Sequence, residues 1–440
     1  MQRLKGTAMV RRKDFRFTVS QEFLNRAINV IPLGSQTFSK SITQYPRDCS
    51  PLFIEKARGA YVVDVDGNRY LDVVNALAAV TLGYRNSSVD SAVKRQIKKG
   101  SIFSLPGRLE AIVAEKISML VPGAEKMRFA KNGTDATSAA IRISRAYTKR
   151  ERVIVCGYHG WQDWYIGSTS RDLGVPRQVK DLTHKAEFNN IESFRLIFNQ
   201  FPHEIAAVII EPIGPFLPER DFLLALRNLC DSQGSLLIFD ETITGFRVSE
   251  GGAQELYEVR PDLSTFGKGI ANGYPLSVVC GRTEIMQLME DIFFSGTFGG
   301  DLIALSAANV VLDMHLKGRV CPALSEIGEE IDEVVNGMLR TRQLDSILSL
   351  SGHPSWLFWH WNLPSEQLNI AKSAFLQNNL ANGLMMLNTV NVSLALNGKA
   401  RCVFYESLER TLDLMADSHS KQDFGLHLRG EVIEPLFKVR

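Results

Sequence analysis

The sequence predicts an α/β protein with a large, mostly parallel sheet and a smaller α+β domain built from both chain ends. Short apolar segments alternate with helical segments between residues 127 and 280, which is typical of a parallel sheet covered by helices on both faces. After about residue 310 this alternation stops, and longer amphipathic segments follow. An Asp66-Gly67 turn between apolar runs predicts a β-hairpin ahead of the large sheet.

Composition is that of a soluble globular protein. Of the 440 residues, 45% are hydrophobic and 22% are charged, which are ordinary values for folded domains. The formal net charge of +2 gives no reason to expect a nucleic-acid partner, and no apolar run is long enough to cross a membrane. The six scattered cysteines lack metal-like pairing, so we expect reduced thiols in a cytoplasm and no metal site.

The N-terminal region is predicted to be irregular, apart from a helix near Gln21–Val30. Six basic residues lie between positions 3 and 16 without the apolar run of a signal peptide, so we expect a mobile arm there. The hairpin spans residues 59–71. Helices follow at Ser88–Lys98 and Leu109–Leu120, and the second is stopped by Pro122-Gly123.

The central region supplies the strands of the large sheet. They are predicted at Met127–Ala130, Arg152–Cys156, Ile205–Ile210, Ser235–Phe239, Leu263–Phe266 and Leu276–Cys280, with helices at Ala136–Tyr147 and Phe222–Cys230. Ligands of such sheets bind beyond the carboxyl ends of the strands. Polar groups at those ends are therefore expected to share one site.

The C-terminal region is predicted to form helices at Pro322–Leu339, Glu366–Leu380 and Ser407–Met415, and an aromatic strand at Trp356–Trp361. These patterns divide the chain into three parts. Residues 1–84 form the N-terminal arm and hairpin and belong to the small domain. Residues 85–308 form the large, ligand-binding domain, and residues 309–440 form the C-terminal small domain.

One lysine stands between two glycines, at Gly267-Lys268-Gly269, directly after the strand Leu263–Phe266. Glycines let a ligand approach the backbone closely. A desolvated lysine amine is nucleophilic and forms a Schiff base with a carbonyl. The alternative is a solvated loop lysine, and the groups at the other strand ends weigh against it.

Three further strand ends suit one planar, phosphorylated ligand. The segment Asn132–Asp135 opens a helix whose free N–H groups suit a phosphate, with an ordinary helix cap as the alternative. Tyr158 offers a ring for stacking, or is a tyrosine of the core or surface. Asp240 offers a carboxylate for a ring nitrogen, or is a capping or salt-bridged residue. Together with Lys268, these are the groups that hold pyridoxal phosphate.

The same residues carry a resemblance to the class III pyridoxal-phosphate aminotransferases of fold type I, and within them to glutamate-1-semialdehyde 2,1-aminomutase. The most specific segment is Leu237–Arg247, with Lys268 following at the family's spacing. Further matching motifs are Asn132–Ala136, Tyr158-His159-Gly160, Glu211-Pro212 and Ser295-Gly296-Thr297. The resemblance runs from about residue 51 to about residue 307, and more weakly to the C-terminus.

The resemblance implies a role for each matching residue. Lys268 would form the Schiff base with pyridoxal 5′-phosphate and shuttle a proton, while Asp240 would pair with the pyridine nitrogen. The others would hold the cofactor: Gly133 and Thr134 at its phosphate, Tyr158 on its ring, Glu211 near its ring hydroxyl, and Thr297 at the phosphate of the neighbouring subunit. A homodimer with shared active sites is therefore implied.

The residues that would face the substrate depart from the aminomutase. Leu77 stands where the aminomutase has a tryptophan, and Trp161 and Trp164 either line the pocket or pack in the core or the dimer interface. We therefore predict an aminotransferase that moves an amino group from a small-molecule donor to a carbonyl acceptor. The alternatives are the aminomutase, an isomerase that transfers the group within one molecule, a racemase, and a non-enzymatic dimer, against which Lys268 and Asp240 argue.

Overall fold

A computed structural model describes residues 15–434, in which three sheets are linked by helices. The basic arm expected between positions 3 and 16 lies outside the described residues, apart from Arg16 at its end. No helix between residues 15 and 434 is long and apolar enough to cross a membrane.

The N-terminal region begins with one helix and a set of short strands. Its elements are α1 (Thr18–Ala27), β1 (Ile54–Arg58), β2 (Tyr61–Asp64), β3 (Arg69–Asp72), the single turn α2 (Asn75–Ala78), α3 (Ser87–Ile97) and α4 (Arg108–Leu120), with 3-10 turns at Pro32–Gly34 and Phe38–Lys40. β2 and β3 pair antiparallel. Gly67 between them has a φ of 84°, which only glycine adopts freely, and the predicted hairpin is confirmed.

The large sheet contains seven strands. They are β4 (Lys126–Ala130), β5 (Arg152–Cys156), β6 (Thr183–Lys185), β7 (Ile205–Ile210), β8 (Leu236–Glu241), β9 (Leu263–Phe266) and β10 (Ser277–Gly281), in the spatial order β4-β10-β9-β8-β7-β5-β6. All neighbouring pairs from β6 to β9 are parallel. β10 pairs antiparallel with both β9 and β4. The prediction of a large, mostly parallel sheet is therefore confirmed.

Helices pack on both faces of this sheet. The helices of this region are α5 (Gly133–Thr148), α6 (Asp163–Ile166), α7 (Arg177–Lys180), α8 (Ile191–Gln200), α9 (Phe222–Gln233), α10 (Ala253–Leu256), α11 (Thr283–Met286) and α12 (Leu302–His315), with 3-10 turns at Lys268–Ala271 and Gln287–Glu290. In β7, Ile209 packs with Ile143 of α5, whereas Ile210 packs with Phe194 of α8 and Leu226 of α9. Burial on both faces explains why β7 is apolar along its whole length.

The C-terminal region completes the smaller domain. It contains α13 (Val320–Thr341), β11 (Leu348–His353), β12 (Trp356–Trp361), α14 (Ser365–Ala381), β13 (Leu384–Met385), β14 (Thr389–Asn391) and α15 (Gly398–Ser420). β11, β12 and β14 form an antiparallel sheet. β13 joins the N-terminal sheet, where Leu384 pairs in parallel with Leu71 of β3. Both chain ends therefore build one unit, as expected, while the boundaries at residues 84 and 308 stay predictions.

The structure differs from the prediction at the end of β8 and at the end of α5. β8 continues through Glu241, and Asp240 pairs with Thr265 of β9, so Asp240 lies inside the strand rather than after it. Tyr147, the last residue of the predicted helix Ala136–Tyr147, lies in the last turn of α5 and is 40% exposed.

A buried arginine links the large and small domains. Arg247 is 1% exposed, and its guanidinium donates hydrogen bonds to the carbonyl oxygens of Ser355 at 2.9 Å, Val392 at 2.9 Å and Ala78 at 3.1 Å. Burial lowers the pKa of Arg247 to about 10. The three carbonyls come from both ends of the chain, so this side chain ties them to the segment after β8.

The turn α2 is left-handed. All four residues of Asn75–Ala78 have positive φ angles, between 47° and 69°, although such a backbone costs about 1–2 kcal/mol for each residue with a side chain. Hydrogen bonds from both sides hold it: Asp72 Oδ1 accepts from the N–H of Asn75 at 3.1 Å, and Asn75 Nδ2 donates to the carbonyl oxygen of Asn391 at 2.5 Å. Strain held in this way is typical of functional segments.

We expect Gly328→Ala in α13 to lower the free energy of unfolding by about 2–3 kcal/mol, because overpacking a buried site forces the backbone to move. A Cβ at position 328 would lie 1.7 Å from the carbonyl oxygen of Pro354. Urea unfolding measures the change. The control is Gly337→Ala in the same helix, where a Cβ would meet only Arg340 Nη2 at 3.9 Å. That variant should gain about 0.5–1 kcal/mol from helix propensity. Equal stability of the two variants would contradict the packing of α13 on Pro354.

Candidate active site

The expected site residues follow strands whose carboxyl ends meet at one edge of the large sheet. Tyr158 follows β5, Glu211 follows β7, Asp240 is the penultimate residue of β8 and Lys268 follows β9, and these four strands are parallel. β4 also points to this edge, because it is antiparallel to β10, which is antiparallel to β9. The start of α5, at Gly133, therefore lies at the same edge.

Lys268 begins the 3-10 turn after β9. Its φ is 43°, an uncommon conformation for a residue with a side chain, and its side chain is half-buried. The neighbouring glycine permits this tight turn, because a Cβ at Gly269 would lie 2.7 Å from Thr81 Oγ1. The turn thus presents a lysine at the sheet edge in a fixed backbone conformation.

Asp240 is a buried carboxylate with several hydrogen-bond donors. It is 5% exposed. Its Oδ1 accepts from the hydroxyl of Thr242 at 2.6 Å, from the N–H of Thr242 at 3.2 Å and from the hydroxyl of Thr265 at 3.0 Å. Burial by itself raises the pKa of Asp240, but contacts with His159 and Thr242 outweigh it and hold the pKa below its usual value. The site therefore keeps a negative charge at the end of β8.

His159 is a site residue to which sequence reasoning assigned no role. Its Nδ1 lies 2.8 Å from Asp240 Oδ2, its side chain is inaccessible to solvent, and its Nε2 has no partner within residues 15–434. The imidazole of His159 therefore holds the Asp240 carboxylate in a fixed orientation. Its position next to Tyr158 was visible in the sequence, but only the fold brings it to Asp240.

Glu211 fixes the segment that carries Tyr158. Its Oε2 accepts the N–H of Tyr158 at 2.9 Å, and the residue is 8% exposed. A Cβ at Gly157, where φ is 112°, would lie 2.7 Å from Glu211 Oε2. The side chain of Glu211 thus contacts the chain just before Tyr158, whose ring packs edge-on against Tyr165.

The start of α5 lies beside the turns that carry Asp240 and Lys268. A Cβ at Gly133 would lie 3.0 Å from Thr242 Cγ2, and a Cβ at Gly267 would lie 3.2 Å from the same methyl group. Thr134, the next residue of α5, is 7% exposed. The structure therefore brings together the expected phosphate turn, the carboxylate and the lysine.

Thr297 and the two tryptophans occupy different surroundings. Thr297 is exposed in the segment before α12, and a Cβ at Gly299 in the same segment would lie 3.1 Å from the carbonyl oxygen of Phe129 in β4. Trp164 is 8% exposed and packs in the core under α5, whereas Trp161 is 65% exposed. The core alternative is thus correct for Trp164.

Leu77 lines a cavity of about 460 Å³ between the N-terminal segment and the β2–β3 hairpin. Most of its walls are apolar, and its polar end contains Tyr84, whose hydroxyl donates to Asp72 Oδ2 at 2.6 Å. Lys268 does not line this cavity.

The residues at the sheet edge fit pyridoxal phosphate. Oδ1 of Asp240 accepts three hydrogen bonds, two from Thr242 and one from Thr265. Within residues 15–434, Oδ2 contacts His159, and it has the capacity to accept a ring N–H as well. The first N–H groups of α5 lack partners within the helix and suit a phosphate. A Cβ at Gly160 would lie 2.2 Å from Thr134 Oγ1, so the backbone at Gly160 packs directly against the start of α5.

Known proteins resemble the chain over most of its length. The family model described as "Aminotransferase class-III" matches residues 43–397. A glutamate-1-semialdehyde 2,1-aminomutase of Francisella philomiragia is 40% identical over 313 residues, which cover 67% of this chain and 72% of that protein.

Solved structures resemble the fold as a whole. The FumI protein of Sphingopyxis sp. MTA144, in its PLP internal aldimine form, superposes with a TM-score of 0.85 at 25% identity, covering 91% of this chain and 97% of that one. An omega-transaminase from Sphaerobacter thermophilus superposes with a TM-score of 0.82 at 26% identity, covering 90% and 97%. These likenesses confirm the expected fold type.

We expect Gly160→Ala to weaken retention of pyridoxal phosphate about tenfold or more, because the added methyl group displaces Thr134 from the start of α5. Cofactor bound after dialysis against a series of free concentrations measures this. Gly174→Ala is the control: its φ of 87° is strained for alanine in the same way, but a Cβ there meets nothing within 4 Å. Equal retention by both variants would contradict a phosphate site at Thr134.

Proposed function

Because the chain belongs to the class III aminotransferase family, and is therefore a pyridoxal-phosphate enzyme, we propose that it moves an amino group from a donor amine to a separate carbonyl acceptor. The observation that carries this proposal is the buried Asp240 carboxylate, which accepts hydrogen bonds from Thr242 and Thr265 and lies at the same sheet edge as Lys268. A carboxylate in this position suits a protonated ring nitrogen.

In this proposal each residue at the sheet edge has one task. Lys268 binds the cofactor through its amine and later moves a proton at the substrate carbon. Asp240 holds its negative charge against the ring nitrogen, and His159 positions that carboxylate. When bound, pyridoxal phosphate supplies an electron sink for the bond-breaking step.

The remaining residues position the cofactor rather than react. Tyr158 would stack on the ring, and Glu211 would support Tyr158 through its N–H and face the ring hydroxyl. Gly133 and Thr134 hold the phosphate with the N–H groups at the start of α5. Binding at both ends of the ring keeps the reacting carbon next to Lys268, which is the positioning that such a proton transfer requires.

We further propose a homodimer in which Thr297 completes the phosphate site of the partner subunit. Two exposed aromatic side chains flank this threonine: Phe293 is 85% exposed and Phe298 is 61% exposed. Apolar groups gathered at an exposed segment are typical of protein interfaces. A cytoplasmic location is proposed as well, since reducing compartments suit unpaired thiols such as these six.

A second candidate is amino transfer within one molecule. The 40% identity to a glutamate-1-semialdehyde 2,1-aminomutase favours it, whereas Leu77 in place of a tryptophan near the substrate favours a different substrate. The two candidates differ in stoichiometry. A transaminase needs both an amine and a carbonyl compound, whereas an aminomutase converts one substrate without a partner.

The test is the visible absorption of the purified protein with pyridoxal phosphate. We expect a cofactor band that one amino donor bleaches and a carbonyl acceptor restores. Lys268→Ala should fold but lack the covalent cofactor band and lose activity by a factor of about 1,000 or more, since both attachment and proton transfer depend on this amine. Conversion of a single substrate without an acceptor would replace the transaminase with the aminomutase. A wild-type protein without any band would contradict both.

We expect Asp240→Asn to retain pyridoxal phosphate but to lose turnover by a factor of about 100 or more, because a neutral amide does not stabilise positive charge on the ring nitrogen. Single-turnover rates with a saturating donor measure the effect, and the bound cofactor is quantified in the same samples. Full cofactor occupancy with a wild-type rate would show that the carboxylate is only structural.

A further inference from the structure

Three side chains that commonly bind transition metals meet away from the proposed active site. Glu250 lies in the segment after β8, His315 is the last residue of α12, and Cys321 lies in the first turn of α13. Their potential ligand atoms all lie within 4.8 Å of one another. The amino-transfer proposal uses none of the three, so the cluster needs its own explanation.

Two of the three spacings between the ligand atoms, those that involve Cys321 Sγ, are close to those of a tetrahedral site. Cys321 Sγ lies 3.4 Å from Glu250 Oε2 and 3.9 Å from His315 Nδ1. Zinc bonds of about 2.0–2.3 Å place tetrahedral ligand atoms about 3.3–3.8 Å apart. Glu250 and His315 are joined by a close hydrogen bond. Replacing that proton with a metal ion would need only this one pair to separate.

Burial suits a site that is closed except for one position. The side chain of His315 is inaccessible to solvent, that of Glu250 is 16% exposed, and Cys321 is 3% exposed. Water can therefore reach the cluster beside the carboxylate and supply a fourth ligand. His315 Nε2 is buried without a partner within residues 15–434, so the hydrogen-bonding capacity of this imidazole is incompletely used in the pair with Glu250 alone.

A nucleophilic cysteine is the competing explanation, and the geometry opposes it. In a Cys–His–acid triad the acid and the thiol contact opposite nitrogens of the imidazole, whereas here both face His315 Nδ1. Glu250 and Cys321 therefore surround one imidazole nitrogen, which suits a shared ion rather than a proton relay.

We propose that Glu250, His315 and Cys321 bind one Zn²⁺ ion per chain, with water as the fourth ligand. A carboxylate and a thiolate balance the two positive charges, and imidazole is a common third ligand of zinc. Magnesium and calcium take oxygen ligands and do not suit the sulfur and nitrogen of this set. The proposal is independent of the proposed amino transfer.

Such an ion would fasten the junction between the two domains. His315 and Cys321 flank the link from α12 to α13, and Glu250 follows three residues after Arg247, whose guanidinium contacts the small domain. The N–H of Cys321 also donates to Glu250 Oε1 at 3.2 Å. A bound metal would therefore connect the end of α12 directly to the segment that carries Arg247.

The experiment is a titration of the metal-free holoenzyme with Zn²⁺ in competition with a chromophoric chelator. We expect one tight site per chain in the wild-type protein and a higher melting temperature when zinc is present. Cys321→Ser should bind zinc at least about tenfold more weakly and lose this rise in melting temperature. Cys402→Ser, which removes an exposed thiol of α15, should behave like the wild type.

Cobalt gives a second measurement that does not depend on how stable the variants are. We expect the wild-type holoenzyme to show the visible bands of tetrahedral Co²⁺ at longer wavelengths than the cofactor band, and Zn²⁺ to remove them. Failure of the wild type to bind zinc stoichiometrically, or equal affinity in Cys321→Ser, would overturn the proposal. In that case Glu250 and His315 form a buried ion pair, and any zinc is held adventitiously elsewhere.

Discussion

The structure depends on a positive charge that is removed from water. Burying an unpaired charge is costly. Arg247 offsets this cost by donating hydrogen bonds to backbone carbonyls of the left-handed turn, of the loop before β12 and of the residue after β14. These acceptors, Ala78, Ser355 and Val392, lie far apart in sequence. One side chain therefore sets how the small domain meets the large sheet, and hence how the turn Asn75–Ala78 lies beside the lysine site.

The large sheet was predictable because its central strands, β7 to β10, are buried on both faces. A segment such as Ile205–Ile210 has no polar residue, and its length excludes most helices. α12 was missed for the opposite reason: it is apolar on nearly every side, so it shows none of the periodicity that marks an amphipathic helix. Short strands such as β6 and β13 were missed because two or three residues are too few to show the alternation of apolar and polar residues that marks a strand.

The site residues that stand at strand ends were predictable from the sequence. Contacts between site residues that lie far apart in the chain were not. Lys268 and Asp240 each stand next to an apolar run, so their positions at one edge follow from parallel topology. The contact between His159 and Asp240 joins residues 81 positions apart, and no sequence spacing indicates it. The same holds for Glu250 and Cys321, 71 positions apart, which is why the spacing of the cysteines does not indicate the metal site proposed above.

The parallel pairing of β3 with β13 has a consequence for synthesis of the chain. Leu71 and Leu384 are more than 300 residues apart, so at about 5–20 residues per second the ribosome finishes β13 roughly 15–60 s after β3. Until then the β2–β3 hairpin has an unpaired edge, and Arg247 lacks its acceptors at Ser355 and Val392. The large sheet can fold while the chain is still growing, but the small domain has to wait for the C-terminal residues. The nascent chain thus exposes a strand edge of the kind that chaperones protect.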